Sequence, residues 1–177
     1  MSILEINKKK RITDRLIGLE LIRFISAFSI LLWHYQHFAF IGDKAINFSR
    51  NEQPFYKFLN FFYDHGLFGV QIFWCISGFI FFWKYRNIIS EKTMQAKQFI
   101  LLRLSRLYPL HFLTLMMVVF LQLIYLKQNE FFLVYQNNDL YHFFLQIFFI
   151  SDWGFENGYS FNGPIWSISV EIMVYIF

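Results

Sequence analysis

The chain has 177 residues, 56% of them hydrophobic and 23% aromatic, with 26 phenylalanines. Its mean hydropathy of +0.39 is more than a soluble domain of this length normally carries, so the composition points to a membrane rather than an aqueous globule. The net charge of +4 does not indicate nucleic acid, because the basic residues sit at the ends of apolar runs, where membrane proteins place their cytoplasmic anchors.

Five apolar segments follow in chain order. They predict an all-α fold, a polytopic membrane helical bundle of about four full or partial spans plus a truncated fifth. The first segment runs from Leu16 to about Phe38, behind Lys8, Lys9, Lys10, Arg11 and Arg15. A signal peptide would be shorter, uncharged within its apolar run and followed by a small-residue cleavage site. The second runs from Leu67 to Trp83 without a formal charge, and holds the single cysteine, Cys75, which has no internal disulfide partner. The third runs from Leu107 to Leu126, with Pro109 in its first turn, where proline is tolerated. The fourth, Leu140 to Ile150, is short for a span and reads either as re-entrant or as buried against other helices. The fifth opens at Ile165 and reaches Phe177, thirteen residues where a span takes ~20.

Lysine and arginine set the orientation. Residues 1–15 hold five of the sixteen and residues 84–106 hold six, against three in 39–66 and only Lys127 in 127–164. The N-terminus and the second loop are therefore expected on the cytoplasmic side. One stretch conflicts with this scheme. If the fourth segment spans, residues 151–164 return to the cytoplasm carrying Asp152 and Glu156 and no basic residue.

The first segment carries Glu20, Arg23 and His34 among apolar residues. Charges at such depth are costly, and mark either a functional site or a paired structural charge. Eleven residues at about 100° each return a helix to within about 20° of its starting direction, so Arg23 and His34 share a face about 16 Å apart. Glu20 and Ala27 fall on that face, with His37 near its edge.

Four motifs resemble those of the acyltransferase-3 family of integral membrane acyltransferases, over nearly the whole chain. Arg23, ten residues and His34 resemble its Arg-X10-His signature. Gly69-Val-Gln-Ile-Phe-Trp-Cys-Ile-Ser-Gly78-Phe79 is similar to its second-helix motif, with Gln71 where aspartate is usual. Arg103-Leu-Ser-Arg106-Leu-Tyr-Pro109 is similar to its Arg-x-x-Arg-Ile-x-Pro segment. Asn162-Gly-Pro-Ile-Trp166-Ser-Ile-Ser-Val-Glu171 resembles its Asn-x-Pro-x-Trp-Ser-Leu-Ser-Val-Glu motif.

The resemblance implies an enzyme that moves an acyl group, most often acetyl, from acyl-CoA to a hydroxyl of a cell-surface saccharide or similar acceptor. It implies residence in the bacterial inner membrane, no tightly bound cofactor, and partners limited to acyl-CoA (acetyl-CoA), the acceptor and the lipid bilayer. It further implies that residues 1–177 are the N-terminal part of the acyltransferase domain, its C-terminal half absent, and inactive alone. A neutral imidazole with pKa near ~6.5 suits a base that takes a hydroxyl proton near neutral pH, which makes His34 the candidate. Arg23 would bind an anionic part of the donor or pair with a carboxylate. Glu171 would orient an imidazole or pair with Arg23, and Arg103 and Arg106 would meet the CoA phosphates.

Each role has a plainer competitor. Arg23 and Glu171 also read as a structural ion pair, and Arg103 and Arg106 as positive-inside anchors. Ser77, Gly78, Ser167 and Ser169 suit close helix packing as well as substrate contact, and Trp166 suits an interfacial anchor. His34 and His37 lack the further ligands that would complete a metal site. The rival functions are a segment of a proton-coupled transporter, which also places Glu, Arg and His inside helices, and a non-catalytic membrane subunit.

Overall fold

The computed structural model describes residues 17–91 and 96–176. The basic run from Lys8 to Arg15, together with Lys92 and Phe177, lies outside the described residues. The chain is mostly helical and divides into two compact units, one drawn from Met1–His34 and Phe55–Trp83, the other from Tyr35–Pro54 and Lys84–Phe177.

In the first unit, α1 (Ile17–His34) packs against α2 (Tyr56–His65), and α3 (Phe68–Ser90) follows α2 after a bend of 58°. The bend has a steric reason. A Cβ on Gly66 would run into the Ser29 carbonyl and stand 2.7 Å from Trp33 Cβ, and one on Gly69 would stand 2.7 Å from the Ser26 carbonyl. Only glycine lets the elbow lie this close to α1, which is how helices without a solvent-driven core gain van der Waals contact. Ser26 and Ser29 turn their hydroxyls back to the Ile22 and Ile25 carbonyls, so neither serine presents a spare donor to the elbow. Phe28 meets Phe62 edge to face at 5.6 Å beside it. α2 falls in residues 39–66, outside the five apolar segments; Lys57, Asn60 and Asp64 break the apolar run there and conceal it, since its apolar face is a short stripe.

The second unit opens with a 3₁₀ turn (Tyr35–Ala39) and a hairpin of β1 (Phe40–Ile41) and β2 (Lys44–Ala45). Gly42 and Asp43 both have positive φ, +54° and +67°, which is the requirement of a two-residue type I′ hairpin turn. The hairpin is a small addition to the all-α expectation. It is held by the chain beyond α4 (Ala96–Asn129): the Asp43 amide donates to Val134 O, the Val134 amide to Phe40 O, and Ile41 bridges Leu133.

Two stretches are long and apolar enough to cross a bilayer, Ile17–Ala39 and Lys97–Asn129, and the bent pair α2–α3 makes a third if it crosses as one. Leu21, Phe24 and Leu31 on α1, and Leu110, Leu113, Met117 and Phe120 on α4, are exposed, an arrangement that suits lipid and not water. α4 begins eleven residues before the predicted Leu107, so Pro109 lies inside it and not in its first turn. Its missing N–H leaves the Ser105 carbonyl without its helical donor, which spanning helices tolerate when neighbours or local adjustments re-satisfy the freed group.

The fourth segment is resolved by length. α5 (Leu140–Ile147) has eight residues, about 12 Å at 1.5 Å each, against ~30 Å of hydrocarbon. It cannot cross as a helix, so the acidic residues 151–164 need not reach the cytoplasmic side, and the conflict with the lysine and arginine distribution disappears. The chain from Leu133 to Asn162 folds back along α4 instead. Its backbone finds partners on α4 side chains: Gln122 bonds both the amide and the carbonyl of Leu133, and His111 Nε2 meets the carbonyl of Gln146, in the last turn of α5, at 2.9 Å. Within the segment, Gln146 donates to Ser160 O and Asn138 accepts from the Phe161 amide. Irregular backbone beside an apolar helix persists only when protein satisfies it in this way.

From Asn162 the chain turns through a 3₁₀ turn (Gly163–Ile165) into α6 (Trp166–Ile176). Three contacts fix its course. Asn162 donates to Thr114 Oγ1, Glu171 meets Arg103, and Tyr175 meets Phe99. As α6 advances, its partners on α4 retreat, so the two helices run antiparallel.

Candidate active site

The polar stripe of α1 is assembled as the spacing predicts, with one exception. Arg23 Nη1 lies 3.6 Å from Glu20 Oε1, one turn back, and the two side chains are 38% and 68% exposed. An exposed i, i+3 pair of this kind stabilises by ~0.5 kcal/mol or less. Glu20 thus accompanies the arginine without masking it, and the Arg23 face stays open within its unit. His34 is the last residue of α1, half-buried, its ring set edge-on to Trp33 at 4.9 Å. The exception is His37. The backbone tightens into a 3₁₀ turn at Tyr35, and the His37 ring lies instead against Phe40 at 5.0 Å and Tyr135 at 6.1 Å.

In the second unit the partner of Glu171 is Arg103, at 3.7 Å, with both side chains mostly buried. The Tyr175 hydroxyl donates to the same carboxylate oxygen. Arg106, three residues along α4, is exposed. The small residues of the motifs divide in two. Ser169 is fully buried, accepts from the Asp152 amide and passes its carbonyl to Trp153 Nε1, so it is a packing residue. Ser167 donates to Pro164 O. A Cβ on Gly78, by contrast, would meet nothing within 4 Å among the described residues, so close packing does not account for that glycine. Gly163 does pack, with the Tyr135 ring occupying the space its Cβ would need.

Sequence reasoning missed a polar face on α4. His111, Thr114 and Gln122 fall at i, i+3 and i+11, the same spacing that made Arg23 and His34 visible, and all three hold the returning chain. The signal was present but uncharged. His142 was also missed. Asn157 N–H donates to its Nε2 at 3.2 Å, so the ring proton sits on Nδ1 and is donated to Asp139 at 2.8 Å. The His142 amide also bonds Asp139, which caps α5 and whose carboxyl is held below its usual range chiefly by that amide. Asp152 moves the other way, raised first by burial and then by Glu156. Among the described residues, no three His, Cys, Asp or Glu side chains gather as a metal site would require.

Long apolar helices, exposed apolar surface and an Arg–His stripe on one of those helices define an integral membrane protein with an ionisable site on a candidate span. Its family is the acyltransferase-3 family, to which the chain belongs: the family model described as an acyltransferase domain matches residues 16–177. No curated protein and no solved structure matches the chain.

Proposed function

We propose that the protein transfers an acyl group, acetyl first among the candidates, from acyl-CoA to a hydroxyl of a cell-surface saccharide or similar acceptor. The observation that carries this reading is the α1 stripe, where an open guanidinium and a half-buried imidazole share one face of an apolar helix in a member of an acyltransferase family. His34 is the base. Its neutral imidazole takes the acceptor O–H proton as the oxygen attacks the thioester carbonyl; the C–S bond breaks, and the imidazolium returns the proton to the departing CoA thiolate. Arg23 keeps its charge throughout and binds an anionic part of the donor. Arg103 and Arg106 are the candidates to meet the CoA phosphates, and Glu171 supplies a carboxylate held by Arg103 and Tyr175.

The distribution of lysine and arginine supports an N-terminus in the cytoplasm, with Arg23 in the inner half of α1 and His34 toward its outer end, and the family resemblance supports a bacterial plasma membrane. The full-length protein in lipid nanodiscs, given acetyl-CoA and a hydroxyl-bearing glycan, should release CoA thiol in an acceptor-dependent way. His34→Gln should lower that rate by about 10²–10⁴, the range of a general base, while the variant still inserts. Wild-type turnover by His34→Gln would remove the imidazole from the mechanism.

A further inference from the structure

Arg103 and Arg106 form one motif in the sequence, yet their surroundings differ in kind. The Arg103 guanidinium lies 3.7 Å from Glu171 Oε1, its carbon 4.7 Å from the centre of the Tyr175 ring and 5.6 Å from that of Phe99. The two rings meet edge to face at 5.5 Å. Tyr175 closes the arrangement by donating its hydroxyl to the oxygen that Arg103 faces. One planar cation is thus engaged by a carboxylate and two aromatic rings, in a place where the Arg103 and Glu171 side chains are only 31% and 21% exposed. A phosphate binding Arg103 would compete with the Glu171 carboxylate already paired to it, and displacing Glu171 would leave a mostly buried carboxylate without its cation. Arg106 has none of these neighbours. It is exposed, has no ion-pair partner among the described residues, and leaves α4 about 60° round from Arg103.

We propose that Arg103 is a positioning residue that fixes Glu171 together with Tyr175 and Phe99, and that Arg106 alone of the two arginines contacts the donor phosphates. The assignment deepens the acyl-CoA reading and rests on it. Phe99 and Tyr175 lie outside the recognised motifs, and both owe their place to the antiparallel course of α4 and α6.

The test separates donor affinity from turnover. Arg106→Gln should raise the KM for acetyl-CoA about tenfold or more, the loss of one charge-assisted hydrogen bond, with kcat little changed. Arg103→Gln and Tyr175→Phe should instead lower kcat at an unchanged acetyl-CoA KM. Arg103→Lys, which keeps a charge beside Glu171, should recover part of that kcat. Arg103→Gln combined with Glu171→Gln should be no worse than either alone, since both break one pair. An Arg103→Gln variant whose acetyl-CoA KM rises as far as that of Arg106→Gln overturns the division, and so do additive losses in the double variant. Equilibrium binding of acetyl-CoA, measured in parallel, keeps the two levels apart. A wild-type protein that binds acetyl-CoA but transfers nothing would refute the transferase reading. The division would then stand if Arg106→Gln alone weakens binding, and fall if Arg103→Gln weakens it as much. A wild-type protein that does not bind acetyl-CoA overturns both.

Discussion

Gln122 offers the sharpest test of how the chain beyond α4 is held. It sits in the apolar stretch of α4, buried, and its amide acts as one rung of a strand: Nε2 donates to Leu133 O at 2.9 Å, and Oε1 accepts from the Leu133 amide at 3.1 Å. Replacing it by Leu keeps the volume and removes both bonds. Two ordinary hydrogen bonds contribute about 1 kcal/mol net each, and intramembrane pairs average nearer ~0.6 kcal/mol, which sets a floor of about 1–2 kcal/mol. The Leu133 carbonyl would keep the Tyr135 amide as its donor at 2.9 Å, so only the Leu133 amide would be left facing an apolar side chain, at ~1–3 kcal/mol. The gain from burying Leu in place of an amide offsets part of this. A loss of about 1–3 kcal/mol is therefore expected for Gln122→Leu, read by reversible denaturation in mixed micelles. Faster amide exchange should appear at Leu133, Val134 and Asp43, since Leu133 bridges Ile41 and Val134 pairs with both Phe40 and Asp43. Stability within about 0.5 kcal/mol of wild type, with unchanged exchange at those amides, would refute the account of Gln122 as a backbone partner.

Two further outcomes follow from the same reasoning. Gly66→Ala places a Cβ against the Ser29 carbonyl and 2.7 Å from Trp33 Cβ, so α1 must shift; about 1–3 kcal/mol of destabilisation is expected. Turnover should fall as well, because Trp33 adjoins His34, and a stable, fully active alanine variant would show that the elbow does not position α1. Asp139→Ala removes the α5 cap at about 1 kcal/mol near neutral pH. The folded-state carboxyl of Asp139 is depressed, so its contribution is present above the unfolded value near ~3.9 and is lost as pH falls through the folded value. The gap between wild type and variant should accordingly narrow below about pH 4, and a gap that widens on acidification would contradict the assignment.

Much of this protein was legible in one dimension. The apolar runs place α1, α3 and α4, because a helix in lipid must satisfy its own backbone and present apolar side chains around its length. Arg23 and His34 were visible for the converse reason: ionisable residues stand out where nearly everything else is apolar, and the eleven-residue spacing assigns them to one face without reference to any other element. Residue identity and helical geometry sufficed for both.

The tertiary structure decided whatever depended on a second segment. α2 was hidden because its short apolar stripe has meaning only against α1, where Gly66 and Gly69 admit it. The fate of residues 140–164 turned on whether α4 offered partners for their backbone, and His111, Thr114 and Gln122 are uncharged residues that no composition argument singles out. The partner of Glu171 was equally out of reach, since Arg103 lies 68 positions earlier in the chain and meets it only because α6 runs antiparallel to α4. Periodicity reports which face a residue occupies on its own helix; which charge stands opposite depends on how the helices pack.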